Sequence, residues 1–320
     1  MMENLNNVSV LVYGSAIVDF ICYVDRLPKA GETLLGSKFS NGFGGKGANQ
    51  CVAAARLGAQ TALIAKVGAD SWGENYIKQL QKEGVNVNYV QQCKGQSTGI
   101  AQIAVSNDGE NHIIIVPGAN DFLDQDNVTE ARTLFDSAKV LLCQLETPPS
   151  GTLNALKSFK GVSILNAAPA MANTPKELIQ AATILCVNET EAALMTGVEA
   201  IETISEAKTA AIKLIEMGAS TVIITLGSQG AIYMEKREPQ VCIHVAAHKV
   251  EKVIDTTGAG DAFLGALAYH IDKYPQKPLH QHIGYANSQA AYSVQFPGTQ
   301  SSFASASLPN DCKEYHYDIV

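Results

Sequence analysis

Short apolar runs alternate with amphipathic stretches along most of the chain. The run from Val8 to Tyr13 is apolar, rich in β-branched residues and followed by Gly14, which is typical of a buried strand. Similar runs predict strands at 61–67, 140–144, 162–166, 184–187 and 221–226. Helical spacing predicts helices at 49–57, 71–83, 204–217, 261–273 and 280–295. Strands that alternate with helices favour a mostly parallel sheet covered on both faces, so we expect an α/β fold.

A second pattern interrupts the first half of the chain. Four short, partly alternating segments at 20–24, 32–39, 100–105 and 112–116 are separated by turn residues. The segments 99–106 and 110–117 flank Asn107-Asp-Gly109, which predicts a β-hairpin. We therefore expect one large domain at 8–306, with the strands of a small second sheet inserted within about 20–40 and 98–118.

Composition narrows the classes of protein. The 320 residues carry 23 basic and 31 acidic side chains, a net charge of −8, and no block of like charge, which argues against nucleic-acid binding. No basic leader or apolar stretch of membrane-spanning length occurs, so we expect no signal peptide and no membrane span. The seven cysteines are scattered without a C-x-x-C pair, which indicates buried thiols in a reducing, cytoplasmic setting.

The glycine-rich run from Gly42 to Asn49 formally matches G-x-G-x-x-G. No long apolar parallel strand leads into it, so a dinucleotide site is not indicated, and Gly47 replaces the Ser or Thr that a P-loop needs after its lysine. A turn that enters a helix near residue 48 remains, and its backbone can approach a ligand closely. Lys46 and Asn49 would then face substrate hydroxyls; a plain turn with a solvated lysine is the alternative.

A second glycine-rich segment runs from Asp255 to Asp261 and precedes an evident helix. Bare N–H groups at a helix N-terminus form an anion hole that would stabilise a transferring phosphoryl group. Asp261 stands at the mouth of this hole, where a carboxylate can accept the proton of an attacking hydroxyl. The alternatives are that Asp261 caps the helix and that Asp255 is a turn residue.

Two further segments follow predicted strands, where ligands bind in such sheets. Asn188-Glu-Thr-Glu191 has the form of a capping box, or else places Asn188 and Glu191 around Mg²⁺ and phosphates. The run from Thr225 to Gly230 is either a strand-end turn or the backbone lining of a nucleotide pocket. Asp19, Glu146 and Asn166 are expected at the same edge.

The ordered motifs resemble the ribokinase family, within the phosphofructokinase-B type of sugar and nucleoside kinases. They extend over most of the chain and are Gly14-Ser15 with Asp19, the run 43–50, Gln144-Leu-Glu146, Asn166 with Ala168-Pro169-Ala170, and the segments 188–191, 225–228 and 255–261. The resemblance implies a ribokinase-like fold with a large central sheet and a small β-sheet lid, which makes a homodimer contact. It implies transfer of phosphate from ATP to the 5-hydroxyl of D-ribose, with Mg²⁺ and activation by K⁺.

The resemblance also implies residue roles. Asp261 would take the proton, and the anion hole would comprise Gly258, Ala259 and Gly260. Ribose would be held by Asp19, Gly45, Lys46, Gly47, Ala48, Asn49, Glu146 and Asp261. ATP would be contacted by Asn188, Glu191, Thr225, Leu226, Gly227, Ser228, Gln229, Gly230, Gly260, Asp261 and Asn287. The cation would be held by Asp255, Thr257, Ser293, Phe296, Gly298 and Ser302.

The chain departs from the family pattern at two positions. Ile17 stands where some ribokinases carry Asn, and the loss of a possible sugar contact admits 2-deoxyribose as a substrate. Pro117 follows the lid hairpin and would stiffen it. The open alternatives are a kinase of 2-deoxyribose, adenosine or fructose, and a non-catalytic binding protein on the same fold. A non-catalytic binding protein would have lost the base or the anion hole, whereas this chain has the residues of both.

Overall fold

Two separate sheets organise residues 8–305 and 314–320, the part of the chain that the computed structural model describes. The predicted domain boundary at residue 306 and Cys312 lie outside the described residues. The strands are β1 Val10–Tyr13, β2 Ile17–Val24, β3 Lys38–Gly44, β4 Thr61–Gly68, β5 Asn86–Cys93, β6 Gly99–Ser106, β7 Asn111–Val116, β8 Val140–Cys143, β9 Val162–Asn166, β10 Ile184–Asn188, β11 Thr221–Thr225, β12 Ala231–Glu235, β13 Cys242–Val245 and β14 Asp318–Ile319. The helices are α1 Lys46–Arg56, α2 Ser71–Lys82, α3 Gln125–Glu130, α4 Arg132–Ser137, α5 Pro149–Ser158, α6 Lys176–Ala181, α7 Glu189–Thr196, α8 Ile204–Glu216, α9 Ala259–Lys273 and α10 Leu279–Ser293.

The large sheet has the strand order β14-β13-β12-β11-β10-β9-β8-β1-β4-β5. Strands β11 to β5 in this order pair in parallel, whereas β12, β13 and β14 add an antiparallel edge. The mostly parallel α/β prediction is therefore confirmed. The antiparallel edge and β5 were not predicted. The sequence of β5 is mixed and lacks a continuous apolar run, whereas the apolar run in β12 is only four residues long.

Both faces of the large sheet are covered by helices, which explains why its central strands are apolar throughout. In β1, Val10 and Val12 join the core beneath α1, α9 and α10, while Leu11 and Tyr13 join the core beneath α5 and α8. A strand buried on both faces reads as an unbroken apolar run, since successive side chains point to opposite faces.

The small sheet has the order β3-β2-β6-β7. The hairpin prediction is confirmed, because β6 pairs antiparallel with β7 from Ile100 opposite Val116 to Val105 opposite Asn111. The strand predicted at 32–39 was placed wrongly, since β3 is Lys38–Gly44. Pairing of β3 with β2 fixes these limits.

The glycine-rich turn is shorter than predicted. β3 ends at Gly44 and α1 begins at Lys46, not near residue 48, so Gly45 alone makes the turn. Gly45 has a φ of 85°, and a Cβ there would lie 2.7 Å from the backbone nitrogen of Ile17. Only glycine fits this turn without strain, and the close approach joins the small sheet directly to α1.

Among the helices of the described residues, none is both long enough and apolar enough to cross a membrane.

Candidate active site

A pocket of about 180 Å³ opens where the carboxyl ends of β9, β10 and β11 meet the first turn of α9. This is the edge at which open α/β sheets bind ligands. Seven predicted site residues line the pocket: Lys46, Asn188, Glu191, Thr225, Gly258, Gly260 and Asp261. The other lining residues are Asn166, Ala168, Cys186, Val187, Phe263 and Leu264.

The first turn of α9 has the form of an anion hole. Gly258 precedes the helix with a left-handed φ of 78°, and no side chain caps the helix. The N–H of Ala259 donates to the carbonyl of Thr256 at 3.2 Å, and helix geometry leaves the N–H groups of Gly260 and Asp261 without intrahelical acceptors. These two amides therefore provide most of the donor capacity beside the pocket.

The carboxylate of Asp261 faces α1 and does not cap its own helix. Its two oxygens accept one hydrogen bond each, from Asn49 Nδ2 at 2.9 Å and from Gln50 Nε2 at 3.0 Å. Asp261 is only 8% exposed, and the packing of α1 against α9 brings the three side chains together. The capping alternative for Asp261 is therefore wrong, and its carboxylate is held in one orientation.

Lys46 begins α1 and faces three acidic side chains. Burial alone would lower the pKa of Lys46, but the charges of Asp261, Glu146 and Glu191 outweigh burial and raise that pKa above its usual value. The ammonium therefore stays charged beside the pocket. Its backbone N–H donates to Glu146 at 2.8 Å, which fixes the start of the helix against the loop after β8.

Glu146 and Asp19 reach the site from different sheets. Glu146 follows β8 and accepts a 2.6 Å hydrogen bond from the Ser15 hydroxyl. Asp19 was expected just after a strand, but it lies within β2 of the small sheet. A Cβ on Gly44 would collide with the Asp19 carboxylate, so glycine is needed there. Burial raises the pKa of Asp19 to about 7, with further contributions from Glu146 and Asp261.

Gly47 and Ala48 lie in the first turn of α1 and pack against Ser15. The N–H of Gly47 donates to the Ser15 hydroxyl at 3.3 Å, and the N–H of Ala48 donates to the Ser15 carbonyl at 2.8 Å. Both residues are buried, so they position the turn while their backbone donors are already engaged.

The segment after β10 forms the capping box that its sequence suggested. The Asn188 side chain accepts from the N–H of Glu191 at 2.8 Å, and Glu191 accepts from the N–H of Asn188 at 2.9 Å. Burial raises the pKa of Glu191 although Asn188 and Lys46 oppose the shift, and Asp261 adds to it. The capping alternative is thus observed, and the same two residues also line the pocket.

The segment from Thr225 to Gly230 links β11 to β12 through a tight 3₁₀ turn over Gly227–Gln229, which also contains Ser228. Leu226 donates to the Gly230 carbonyl at 2.7 Å, so the turn is closed on itself. Asn287 on α10 donates both amide hydrogens to main chain, at 3.0 Å to Val245 and 3.2 Å to Ala246. Asn287 therefore joins α10 to the end of β13, and it is not among the residues that line the pocket.

Asp255 is held against the segment that follows α10. Its carboxylate accepts from the N–H groups of Thr257 at 2.9 Å and Gly298 at 2.8 Å. Burial would raise the pKa of Asp255, but these donors hold it below its usual value. The Asx-turn alternative is observed here.

The predicted cation ligands lie on two segments: the one that precedes α9, and the one that runs from the last residue of α10 to Ser302. The hydroxyl of Ser302 donates to the carbonyl of Thr299 at 2.8 Å, and Ser293 and Ser302 are both buried, whereas Phe296 is exposed. Within the described residues no cluster of three His, Cys, Asp or Glu side chains gathers as a metal site. The predicted ligands are instead one carboxylate, one hydroxyl and backbone carbonyls, a donor set that fits a hard cation.

Three buried glutamines were overlooked as site residues. Gln50 and Gln144 belong to the motifs that carried the family resemblance, but they received no role. Gln300 lies in a 3₁₀ turn and has no signal in the local sequence. Its amide donates to Asn49 at 3.0 Å, a contact between residues 251 positions apart that only the fold creates.

Comparisons with known proteins agree with this geometry. Residues 7–306 match the model of the pfkB family of carbohydrate kinases. Ribokinase from Mus musculus is 44% identical over 298 residues, which cover 92% of this chain and 91% of the mouse protein. Deoxyribokinase from Salmonella typhi is 36% identical over 306 residues, covering 94% and 97% of the two proteins.

Among solved structures, Arabidopsis thaliana ribokinase complexed with ribose and ATP superposes with a TM-score of 0.84 at 31% identity, covering 93% of this chain and 96% of the plant protein. The family match spans nearly all the described residues, and the small sheet, the pocket and the large sheet except β14 lie within it. The chain therefore belongs to the pfkB family of carbohydrate kinases.

Proposed function

We propose that this protein is an ATP-dependent ribokinase that phosphorylates the 5-hydroxyl of D-ribose and releases ribose 5-phosphate and ADP. The observation that carries the proposal is the Asp261 carboxylate, held by two amides beside the open N–H groups that begin α9. The relatives named above include ribokinases that align over nearly the whole chain.

The arrangement supports direct, in-line transfer. The hydroxyl proton of the sugar passes to Asp261, the hydroxyl oxygen forms a bond to the terminal phosphorus, and the bond from that phosphorus to the leaving ADP oxygen breaks. The anion hole would comprise Gly258, Ala259 and Gly260. Because the N–H of Ala259 already donates to Thr256, the open amides of Gly260 and Asp261 would stabilise most of the charge that develops on the phosphoryl oxygens. Positioning and electrostatics supply most of the acceleration in such a reaction.

The sugar would lie between the two sheets. Asp19 approaches from the small sheet, Glu146 from the loop after β8, and Lys46 and Asn49 from α1. Carboxylates accept hydrogen bonds from sugar hydroxyls, whereas the Lys46 ammonium donates to them. The backbone of Gly45, Gly47 and Ala48 would complete the contact surface.

The nucleotide would extend from the anion hole over the ends of β10 and β11. Asn188, Glu191 and Thr225 line the pocket at this point, and the rest of the 225–230 turn and Asn287 would extend the contact beyond it. Mg²⁺, when bound, would neutralise phosphate charge, and Glu191 is the protein carboxylate best placed to hold it, directly or through water. Lys46 adds a fixed positive charge at the sugar end of the pocket.

A monovalent cation, K⁺, would be held by Asp255 and Ser302 with carbonyls of Thr257, Ser293, Phe296 and Gly298. The hydrogen bond from the N–H of Gly298 to Asp255 supports the proposal, because it joins the segment before α9 to the segment after α10. The cation would stabilise the loop that precedes the anion hole.

2-Deoxyribose is the second candidate substrate. Ile17 is 2% exposed and presents an apolar side chain near Asp19, and one relative named above is a deoxyribokinase. An apolar side chain forms no hydrogen bond with the hydroxyl that distinguishes ribose from 2-deoxyribose. It therefore discriminates only weakly between the two sugars, and we expect both to be used. Adenosine and fructose remain weaker candidates, as does a non-catalytic binding protein.

A coupled assay of ADP release tests these proposals together. The purified protein is given ATP, Mg²⁺ and K⁺ with ribose, 2-deoxyribose, fructose or adenosine in turn. The highest kcat/KM with ribose supports the proposed function, and a higher value with 2-deoxyribose supports the second candidate. No ADP release with any of the four would overturn a small-sugar kinase.

The assembly and location are proposed on different grounds. We propose one ribokinase-like domain at 8–306 whose small sheet is the lid and the homodimer contact. All of β7 is exposed, including Ile113, Ile114 and Ile115, and it is an edge strand that a partner would cover. A cytoplasmic location fits the buried free thiols of Cys51, Cys143, Cys186 and Cys242.

A further inference from the structure

Two chains of side-chain amides converge on the carboxylate of Asp261, one on each oxygen. The first runs from Gln300 through Asn49, and the second runs from Gln144 through Gln50. All four amide residues are buried. Each chain is called a relay below, and each relay is named by its outer glutamine.

In the Gln300 relay, Gln300 Nε2 donates to Asn49 Oδ1 at 3.0 Å, and Asn49 Nδ2 donates to Asp261 at 2.9 Å. An amide NH₂ group can only donate, so Gln300 requires that Asn49 turn its oxygen outward. The nitrogen of Asn49 must then point at Asp261. The outer glutamine thereby selects one of the two amide orientations that the Asn49 side chain can adopt.

The Gln144 relay repeats this logic on the other oxygen. Gln144 Nε2 donates to Gln50 Oε1 at 2.7 Å, and Gln50 Nε2 donates to Asp261 at 3.0 Å. Gln144 and Gln50 are fully buried, so water does not compete for these groups. A flipped Gln50 would point its oxygen at a carboxylate, and two acceptors repel each other at that distance.

Gln300, the outer glutamine of the first relay, is itself fixed. The carbonyl of Gln300 accepts from Arg56, which pairs with both carboxylate oxygens of Glu83 at 2.7 and 2.8 Å. Gln300 Nε2 also donates to the Tyr76 hydroxyl at 3.2 Å, and Tyr76 donates to the carbonyl of Gly44 at the end of β3. The Gln300 relay is therefore anchored where the small sheet joins α1.

We propose that Gln300 and Gln144 are positioning residues that set the orientation of the Asp261 carboxylate through Asn49 and Gln50. With one N–H donor aimed at each oxygen, the carboxylate cannot rotate, and a lone pair stays directed at the pocket. A freely rotating carboxylate would spend less time aligned with the sugar hydroxyl, so proton transfer would slow. The inference rests on the proposed role of Asp261 as the base.

Apolar replacement of each outer glutamine tests the relays. Gln300→Met and Gln144→Met keep the side-chain length and remove the donor, whereas Gln81→Met on the exposed surface of α2 is the matched control. We expect each relay variant to lose about 10-fold in kcat, the scale of one buried hydrogen bond, with KM for ATP changed less than about 2-fold. An unchanged kcat in both relay variants would overturn the proposal.

A double-mutant cycle separates positioning from general damage to the fold. If Gln300 acts through Asn49, then Gln300→Met should lower kcat by less than about 2-fold when Asn49 is already Ala, because the relay is already broken. A loss in that background equal to the loss in the unmodified protein would overturn the Gln300 relay. Gln144→Met in the Gln50→Leu background tests the other relay in the same way.

Two further measurements make each outcome decisive. Gln300→Leu and Gln144→Leu also remove the donor without adding a charge, so they replace the Met variants if thermal denaturation shows that those do not fold. Asp261→Asn is assayed in parallel. Inactive Asp261→Asn with wild-type kcat in the glutamine variants rejects the relays alone, whereas active Asp261→Asn rejects the proposed base.

Discussion

The buried hydroxyl of Ser15 lies 2.6 Å from a carboxylate oxygen of Glu146 and donates to it, although 131 residues separate the two. The contact exists because β1 and β8 are adjacent parallel strands that end at the same edge of the large sheet. Glu146 Oε2 accepts from Ser15 and from the N–H of Lys46, so its orientation is set before any sugar arrives.

Ser15→Ala should therefore weaken sugar binding more than turnover. Loss of the hydroxyl frees the Glu146 carboxylate to rotate and removes a charge-assisted hydrogen bond worth about 1.5–3 kcal/mol. We expect KM for ribose to rise about 10-fold or more, with KM for ATP nearly unchanged. Steady-state kinetics with each substrate varied in turn measures both constants, and Ser205→Ala, at an exposed position of α8, is the control.

Asp261→Asn should remove turnover without removing nucleotide binding. The amide cannot take the hydroxyl proton, and a general base typically contributes about 10²–10⁴-fold to a rate. ADP binding, measured by calorimetry, should remain because the backbone donors at the start of α9 are unchanged. Asp136→Asn is the surface control. Retention of full kcat by Asp261→Asn would exclude this carboxylate as the base.

The sequence predicted those features best that follow directly from a local pattern of residue types. The central strands were predicted because burial on both faces leaves an unbroken apolar run, as in Val10–Tyr13. The anion hole was predicted because a helix that starts after Gly258 must expose N–H groups. The family match confirms the pfkB family, and the strand order confirms the α/β fold and the small sheet.

The remaining features depend on contacts between distant parts of the chain. β3 was misplaced because its pairing with β2, not its composition, sets its limits. Asp19 lies within a strand whose start was predicted too late. Gln300 meets Asn49 only after the chain has folded, and a lone glutamine in a loop carries no local signal. These three features follow from tertiary contacts, which the local sequence pattern does not predict.

The raised pKa of Asp19, about 7 in place of 3.8, predicts a pH dependence of stability. Between about pH 4 and pH 7 the folded protein holds a proton that the unfolded chain has released, so the free energy of unfolding falls as the pH rises through this range. Below about pH 4 both states are protonated and the contribution is constant.

Asp19→Asn should therefore stabilise the ligand-free protein at pH 8, by on the order of 2 kcal/mol, and change it little at pH 4. Urea denaturation at several pH values measures the free energy of unfolding. Asp136→Asn, at an exposed position, should show no such trend. A gain for Asp19→Asn that is equal at pH 4 and pH 8 would contradict the raised pKa.

Asp255 should carry the response to K⁺. We expect kcat/KM to fall several-fold when K⁺ is replaced by choline at equal ionic strength, because the loop before the anion hole loses its cation. Asp255→Ala should have low activity in both buffers and no response to K⁺. Equal rates of the unmodified protein in the two buffers would remove the cation from the proposal.

The exposed strand β7 predicts how the protein assembles. Ile114 is 67% exposed and lies in the middle of an edge strand, where a second copy could cover the apolar side chains. Ile114→Lys places a charge in that contact and should shift the protein from dimer to monomer. Sedimentation equilibrium measures the mass, and Ile212→Lys on α8 is a control with the same change at an exposed position. A dimer that persists in Ile114→Lys, or a monomer in the unmodified protein, would exclude the small sheet as the homodimer contact.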